Sequence, residues 1–466
     1  MNKIKLVSSV DSRAVDETVI QKLILNGVDA IKINMNEVSK EDARNIIGIT
    51  RILNRKLDTG VGIVLEIGSP LIHIGRIQDG ETVFKTDDKI RLYVTDVLGD
   101  ETKVSVNYPE IIEEVSKNNI ITIGNVKLKV TDKGYDYIIC EVIDGGIVKE
   151  YEKLQIDSGT HTAFLRVKDV KDIEFASEMK VDYLILPRVS NNEDVMQVTD
   201  MLIGLRNDHT NVITRVDSKD VIDDIDDIIK TSDGILIDRN NLSMEIPLER
   251  IPGLQKNIVN KCLTNGKISL ASIDIPLNSK KDPNRVEVQD IANASLDGVD
   301  ALLINEVVEP DGDYVSSIKK LESILGEIET SIDYDAMYEN ASREENTDVT
   351  GTIATNVAST ANRLKCKAII TPTITGYTAR KISRFRPVCP IIAVSPNSDT
   401  VTSLSLYFGV NPVLIDDLDS LDRIIKISES ITKGLISVKK GDKIIITGGY
   451  PFKESKSTNF MKIEEM

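Results

Sequence analysis

Residues 232–247 read SDGILIDRNNLSMEIP, and this run decides the fold class. It opens with a short strand-like segment at 234–237 that is apolar at every position, as expected of a strand buried within a parallel sheet. Polar side chains follow where this segment ends, and a helical pattern occupies 249–263. The run therefore predicts one strand–loop–helix unit of an α/β protein.

The same unit recurs on both sides of this run. Short apolar stretches rich in β-branched residues alternate with amphipathic helical stretches. The predicted strands lie at 4–7, 30–34, 62–67, 183–186, 212–216, 234–237, 268–272 and 301–304. Eight such strands with helices between them predict an α/β fold built on a closed (β/α)8 TIM barrel.

Two segments interrupt the barrel pattern. Between 77 and 153, strand-like runs follow one another closely with turn residues between them, which predicts a small β-barrel domain inserted after the third strand. The polar, acidic segment 333–346 is expected to link the barrel to a C-terminal three-layer α/β domain, where strand–helix alternation resumes. The predicted domains are 1–76 and 154–332 for the barrel, 77–153 for the insert and 333–466 for the C-terminal domain.

Composition limits the classes of partner. The 466-residue chain has a formal net charge of −17, and so acidic a surface repels phosphate backbones and anionic lipids. No apolar run reaches the roughly 18 residues of a membrane helix, and the first residues lack a signal-peptide core. We expect a cytoplasmic protein with no nucleic-acid partner and no membrane partner.

Several ordered segments resemble the pyruvate kinase family over essentially the whole chain. Residues 232–247 are similar to the family run S-D-G-I-M-V-A-R-G-D-L-G-V-E-I-P, and 290–301 (DIANASLDGVDA) to D-V-A-N-A-I-L-D-G-T-D-A. The C-terminal part is similar at 386–387, 390–394 and 440–442. The resemblance implies the three-part fold described above. For an active member it implies phosphoryl transfer between phosphoenolpyruvate and ADP in glycolysis.

The resemblance places residues of other types at the family's chemical positions. The family's K-I-E, with a catalytic Lys and a metal-binding Glu, corresponds to a run with Arg215 and Asp217, and the metal-binding Asp of R-G-D corresponds to Asn241. Losing one negative charge about 4 Å from a cation costs roughly 4 kcal/mol at an effective dielectric near 20, so the implied magnesium site is weakened. Ile273 stands at the proton-donating threonine. Without a metal, Arg239 and Asp217 are expected to form an ion pair.

A second group of positions concerns phosphate and potassium. The family's R-L-N-F-S-H-G corresponds to residues 32–38, KINMNEV, so that Lys32 replaces the arginine. Lys32 and Arg215 are then degraded equivalents of the catalytic cations. The implied but weakened potassium ligands are Asn34, Asn36 and Glu66.

The C-terminal domain contains a possible effector loop. The family's T-x-S-G-R-T-A-R resembles residues 373–380, TITGYTAR, and hydroxyls at a helix N-terminus favour an anion. The alternative is that Thr375 or Thr378 simply caps the helix. The implied effector-binding residues are Thr373, Thr375, Gly376, Thr378 and, from a facing loop, Lys453 and Lys456.

Two main functional hypotheses remain open. In the first, the protein has little or no pyruvate kinase activity and acts by binding a phosphorylated metabolite or by oligomerising with an active enzyme. In the second, it is a divergent active pyruvate kinase with magnesium and potassium as cofactors. A third is altered chemistry in the same cleft. The resemblance implies a homotetramer, or a hetero-oligomer with an active pyruvate kinase.

Overall fold

The computed structural model describes residues 2–68, 72–157, 164–243, 245–343, 348–416, 421–449 and 458–466. The chain forms two compact units, one made of Met1–Glu66 with Phe175–Met466 and the other of Ile67–Glu174. None of the helices in these described ranges has the length and apolar character of a membrane span.

The first unit begins with three strands and two helices. They are β1 (Lys5–Val10), α1 (Glu17–Leu25), β2 (Ala30–Asn34), α2 (Lys40–Leu57) and β3 (Gly62–Glu66). Both helices start at polar caps, because the side chains of Asp16 and Ser39 accept hydrogen bonds from backbone amides of the first turns.

The second unit is built of β-strands around its own apolar core. Its elements are β4 (Glu81–Phe84), β5 (Lys89–Tyr93), β6 (Lys103–Ser105), α3 (Ile111–Glu114), β7 (Ile120–Ile123), β8 (Val126–Lys133), β9 (Tyr137–Asp144), β10 (Gly146–Lys149) and β11 (Leu154–Asp157). The strands form a six-stranded sheet, in the order β11-β7-β8-β9-β5-β6, and a two-stranded sheet of β10 and β4. Phe84 and Tyr108 are fully buried in this core. The insert expected at 77–153 lies within this unit.

The chain then returns to the first unit through α4 (Val167–Glu178) and completes the barrel. The strands are β12 (Tyr183–Leu186), β13 (Asn211–Val216), β14 (Gly234–Ile237), β15 (Ile268–Ile273) and β16 (Ala301–Val307). The helices are α5 (Asn192–Gly204), α6 (Lys219–Asp223), α7 (Ile225–Thr231), α8 (Arg239–Leu242), α9 (Ile251–Asn265), α10 (Arg285–Asp297) and α11 (Tyr314–Glu329). The closed order is β1-β16-β15-β14-β13-β12-β3-β2, which confirms the predicted TIM barrel.

The C-terminal region forms a five-stranded sheet with helices. Its elements are α12 (Tyr334–Ala341), α13 (Val349–Leu364), β17 (Ala368–Pro372), α14 (Tyr377–Ser383), β18 (Ile391–Ser395), α15 (Ser398–Thr402), β19 (Val410–Leu414), α16 (Leu421–Leu435), β20 (Lys443–Gly449) and β21 (Thr458–Glu465). The order is β19-β18-β17-β20-β21, with β21 antiparallel to β20. The predicted α/β domain is confirmed, while α12, α13, α16 and β21 were not among the predicted elements.

Two buried aspartates fix the C-terminal region to the barrel at the start of its strands. Asp300, just before β16, accepts hydrogen bonds from Arg386 Nη1 at 2.7 Å and from the Phe408 amide at 3.1 Å. Asp182, just before β12, accepts from Thr402 Oγ1 at 2.5 Å. The carboxyl ends of the strands, where (β/α)8 proteins carry their sites, therefore lie at the opposite end.

Candidate functional site at the carboxyl ends of the barrel strands

Four of the predicted site residues lie on barrel strands, between the middle of a strand and its last residue. Lys32 and Asn34 are on β2, Glu66 is the last residue of β3, and Arg215 is on β13. Asn34 and Glu66 are register partners in adjacent strands. The parallel arrangement therefore gathers these side chains at one end of the barrel.

Glu66 is held by two positive charges. Lys32 Nζ lies 2.5 Å from Glu66 Oε2, and Arg215 Nη1 hydrogen-bonds to the other carboxylate oxygen. Burial by itself raises the pKa of Glu66, but the charges of Lys32 and Arg215 and their hydrogen bonds outweigh burial and lower that pKa. Glu66 is therefore a buried carboxylate at neutral pH, with both oxygens occupied.

Arg215 contacts two further carboxylates. Its Nε lies 2.8 Å from Asp217 Oδ2 and 3.9 Å from Asp238 Oδ2. Burial opposes the charge of Arg215, yet the nearby Glu66 and Asp217 carboxylates raise its pKa overall. We call Lys32, Glu66, Arg215, Asp217 and Asp238 the ion cluster. It contains two cations and three carboxylates, so one negative charge is in excess.

Asp238 belongs to the site but was missed by the sequence analysis. It follows β14, and its Oδ2 accepts a hydrogen bond from Asn241 Nδ2 at 2.7 Å. Its Oδ1 accepts from the Asn241 backbone amide, so Asp238 also caps α8. The alignment with the quoted family run could have revealed it. The family has alanine where this chain has Asp238, and aspartate where this chain has Asn241.

The magnesium ligands implied by the resemblance do not fit a metal as they stand. The space between the carboxylates holds the Arg215 guanidinium, and Asn241 uses its amide group to donate to Asp238. Within the described ranges, no group of three or more His, Cys, Asp and Glu side chains is arranged to hold a metal ion. Magnesium prefers octahedral oxygen ligands, which this arrangement does not offer.

The predicted potassium ligands stay a prediction. Asn34 Oδ1 accepts from the Asn36 backbone amide at 3.0 Å, and Asn34 Nδ2 donates to Glu37 Oε1 at 3.0 Å. Glu66 is occupied by Lys32 and Arg215. Asn34 and Asn36 thus form a local turn, while Glu66 belongs to the ion cluster.

The predicted ion pair between Arg239 and Asp217 is wrong. Arg239 pairs with Asp290 of α10, with Nη2 at 2.6 Å from Oδ2, and donates to the Ser272 carbonyl. Asp217 instead pairs with Arg215. The prediction failed because the Arg239 side chain, at the first residue of α8, extends toward α10 and away from the ion cluster.

A cavity of about 580 Å³ lies beside the Arg239 pair, against α9 and α10. Its lining includes Lys256 and the carboxylates of Asp274, Asp290 and Asp297. Asp274 accepts from Asn240 Nδ2 at 2.8 Å. These carboxylates make the cavity a poor environment for a phosphate group.

The effector loop is only partly described. Gly376 occupies the N-cap of α14 with φ of 75° and no side-chain cap, so the alternative of a Thr375 or Thr378 cap is wrong. Thr373 Oγ1 accepts from the Gly376 amide at 2.9 Å, and Thr378 Oγ1 lies 2.7 Å from the Thr458 hydroxyl oxygen. Lys453 and Lys456 lie outside the described residues. The effector-binding set therefore stays a prediction.

The fold and the position of the site define a class of protein, a (β/α)8 barrel with an inserted β domain, a C-terminal α/β domain and charged residues at the strand ends. Comparison with known protein families agrees with this architecture. The pyruvate kinase barrel domain matches residues 1–316, and the pyruvate kinase alpha/beta domain matches 351–464. The chain belongs to the pyruvate kinase family.

Individual relatives match along the full chain. A pyruvate kinase of Clostridium perfringens is 28% identical over 475 residues, covering 100% of both chains. One of Sporosarcina psychrophila is 30% identical, covering 99% of this chain and 80% of its own. One of Clostridium acetobutylicum is 28% identical, covering 100% of this chain and 99% of its own.

Proposed function

We propose that this member of the pyruvate kinase family has little or no pyruvate kinase activity. It acts in the cytoplasm through assembly with other chains or by binding a phosphorylated metabolite at the C-terminal loop. The ion cluster is the observation that supports this proposal. Its two cations, Lys32 and Arg215, are bound to the protein's own carboxylates.

Phosphoryl transfer explains why this pairing matters. The transferring group needs positive charge that is directed at its oxygens before the substrate arrives. Lys32 and Arg215 would have to leave charge-assisted hydrogen bonds worth about 1.5–3 kcal/mol each, and they would leave Glu66 buried and unpaired. The position of the proton-donating residue is occupied by Ile273, which is apolar and buried.

A coupled lactate dehydrogenase assay tests this proposal. With Mg²⁺, Mn²⁺ and K⁺ supplied, we expect a turnover far below the roughly 1–10³ s⁻¹ of ordinary enzymes. The pyruvate kinase of Clostridium perfringens, assayed in parallel, is the positive control. Turnover within the ordinary range that follows this protein through successive purification steps would refute the proposal.

The second candidate is a divergent active pyruvate kinase. Its support is the similarity to chains named pyruvate kinase along the full length. In that case magnesium and potassium are the cofactors, and the ion cluster must open when substrate binds. The same assay decides between the two, because only this candidate gives turnover that depends on added metal.

We also propose assembly into a homotetramer, or into a mixed oligomer with an active pyruvate kinase. Large apolar side chains remain exposed, among them Val286 at 72% and Leu248, which also lines the cavity beside Arg239, at 69%. Light scattering at micromolar concentration is expected to give four times the 51.5 kDa chain mass. A species of only 51.5 kDa, both alone and mixed with the active enzyme, would contradict this prediction.

A further inference from the structure

Three carboxylates from three different strand ends converge on one guanidinium. Glu66 ends β3, Asp217 follows β13, and Asp238 follows β14. Arg215 Nη1 contacts Glu66, and Nε lies 2.8 Å and 3.9 Å from Oδ2 of Asp217 and Asp238. Arg215 therefore occupies the centre of an acidic site, and Lys32 pairs with Glu66 alone among these carboxylates.

One oxygen of this site has no donor. Asp217 Oδ1 is buried without a hydrogen-bond partner among the described residues, and the Asp217 side chain is only 7% exposed. A buried carboxylate oxygen normally has a partner, because leaving it without one is costly. The unpaired oxygen indicates that the site offers more ligand directions than the guanidinium uses.

We propose that Arg215 is a built-in cation that excludes divalent metal from this end of the barrel, and that its removal opens a cation site formed by Glu66, Asp217 and Asp238. This inference rests on the proposed function in one respect, since both begin from the ion cluster. Arg215 can exclude metal whether or not the protein turns over substrate.

Electrostatics and shape both support this exclusion. A guanidinium stays protonated at any physiological pH and carries five donors in a planar fork, so it can bond several carboxylates at once. A divalent cation entering the same space would meet the like charge of Arg215 at contact distance. With Arg215 absent, Asp217, Asp238 and the Oε1 atom of Glu66 offer oxygen ligands of the kind that hard cations prefer, while Lys32 stays paired with Oε2 of Glu66.

The residues at positions 238 and 241 differ from the family run in a way that agrees with an arginine occupying the place of a metal ion. Compared with the family run, the carboxylate stands at Asp238 and the amide at Asn241. The relocated carboxylate lies within 3.9 Å of Arg215 Nε, whereas Asn241 hydrogen-bonds to Asp238. The change therefore supplies a charge partner for the arginine.

Electron paramagnetic resonance of free Mn²⁺ measures binding directly. We expect no binding by the unmodified protein at millimolar Mn²⁺ and one bound ion per chain in the Arg215→Met variant. Adding Asp238→Asn to that variant should weaken binding by at least about tenfold, since a ligand charge is lost. Arg44→Met, which removes an exposed guanidinium paired with Glu178 on the barrel exterior, is the matched control and should bind none.

Two outcomes would overturn the inference. One is binding of a single Mn²⁺ by the unmodified protein that is lost in Asp217→Asn. The other is a folded Arg215→Met chain that binds no Mn²⁺. If Arg215→Met does not fold, Arg215→Gln removes the charge while keeping an amide that can donate hydrogen bonds to the carboxylates, and it must meet the same expectation. Turnover in the coupled assay would refute the proposed function alone, because Mn²⁺ binding is measured without substrate.

Discussion

Replacing Arg386 with methionine is expected to lower the free energy of unfolding by about 3–5 kcal/mol, because breaking a buried ion pair leaves a buried charge without its partner. Arg386 and Asp300 are both buried, and Arg386 Nη2 also donates to the Gly298 carbonyl at 2.9 Å. The guanidinium lies 4.5 Å from the centre of the Phe408 ring. Urea unfolding followed by circular dichroism measures the loss.

Two controls separate the ion pair from a general effect of losing an arginine. Arg44→Met removes an exposed guanidinium and should leave the unfolding midpoint nearly unchanged. Adding Asp300→Asn to Arg386→Met removes the unpaired charge and should restore part of the lost stability. If Arg386→Met unfolds at the same urea concentration as the unmodified protein, the pair does not stabilise the junction between the barrel and the C-terminal region.

Restoring the family's aspartate at position 241 should lower the stability of the folded protein. The Asn241 amide donates to Asp238 at 2.7 Å, so Asn241→Asp replaces a hydrogen bond to a charged group, worth about 1.5–3 kcal/mol, with repulsion between two carboxylates. We expect a stability loss larger than that range at neutral pH. The coupled assay should show no gain in turnover, because residues that act as a unit are strongly non-additive.

Companion variants isolate the added charge. Asn241→Ala loses the hydrogen bond without adding a carboxylate, so it should be less destabilising than Asn241→Asp. Combining Asp238→Ala with Asn241→Asp moves the carboxylate to the family's position and should recover stability relative to Asn241→Asp alone. Equal stability of Asn241→Asp and the unmodified protein would show that Asp238 and Asn241 are not in contact.

The barrel could be predicted from sequence because each of its strands is a local signal. Every strand of the closed barrel overlaps one of the apolar runs predicted from the sequence, as at Tyr183–Leu186 and Gly234–Ile237. The edge strand Thr458–Glu465 was missed because only its first residue is buried, the rest alternates between half-buried and exposed residues, and it carries charged side chains. Helix α12 was missed because an acidic, polar segment resembles a linker.

The site could be predicted only as a set of residue types. The pairing of Arg215 with Glu66 joins β13 to β3 across β12, and no local pattern reports a contact over 149 residues. Asp238 was missed because the resemblance directed attention to Asn241, where the expected carboxylate is absent. The Arg239 partner was wrong because side-chain direction on a short helix depends on the packing of α10.

The attachment of the C-terminal region to the start of the barrel strands has an evolutionary consequence. Asp300 and Asp182 lie at one end of the strands, whereas the ion cluster lies at the other. A six-residue strand such as Asn211–Val216 separates them by about 20 Å, and substitutions more than about 10 Å apart usually add independently. Selection for a folded chain and selection for chemistry therefore act on different residues. The end that holds the ion cluster can change through many substitutions while the architecture is kept.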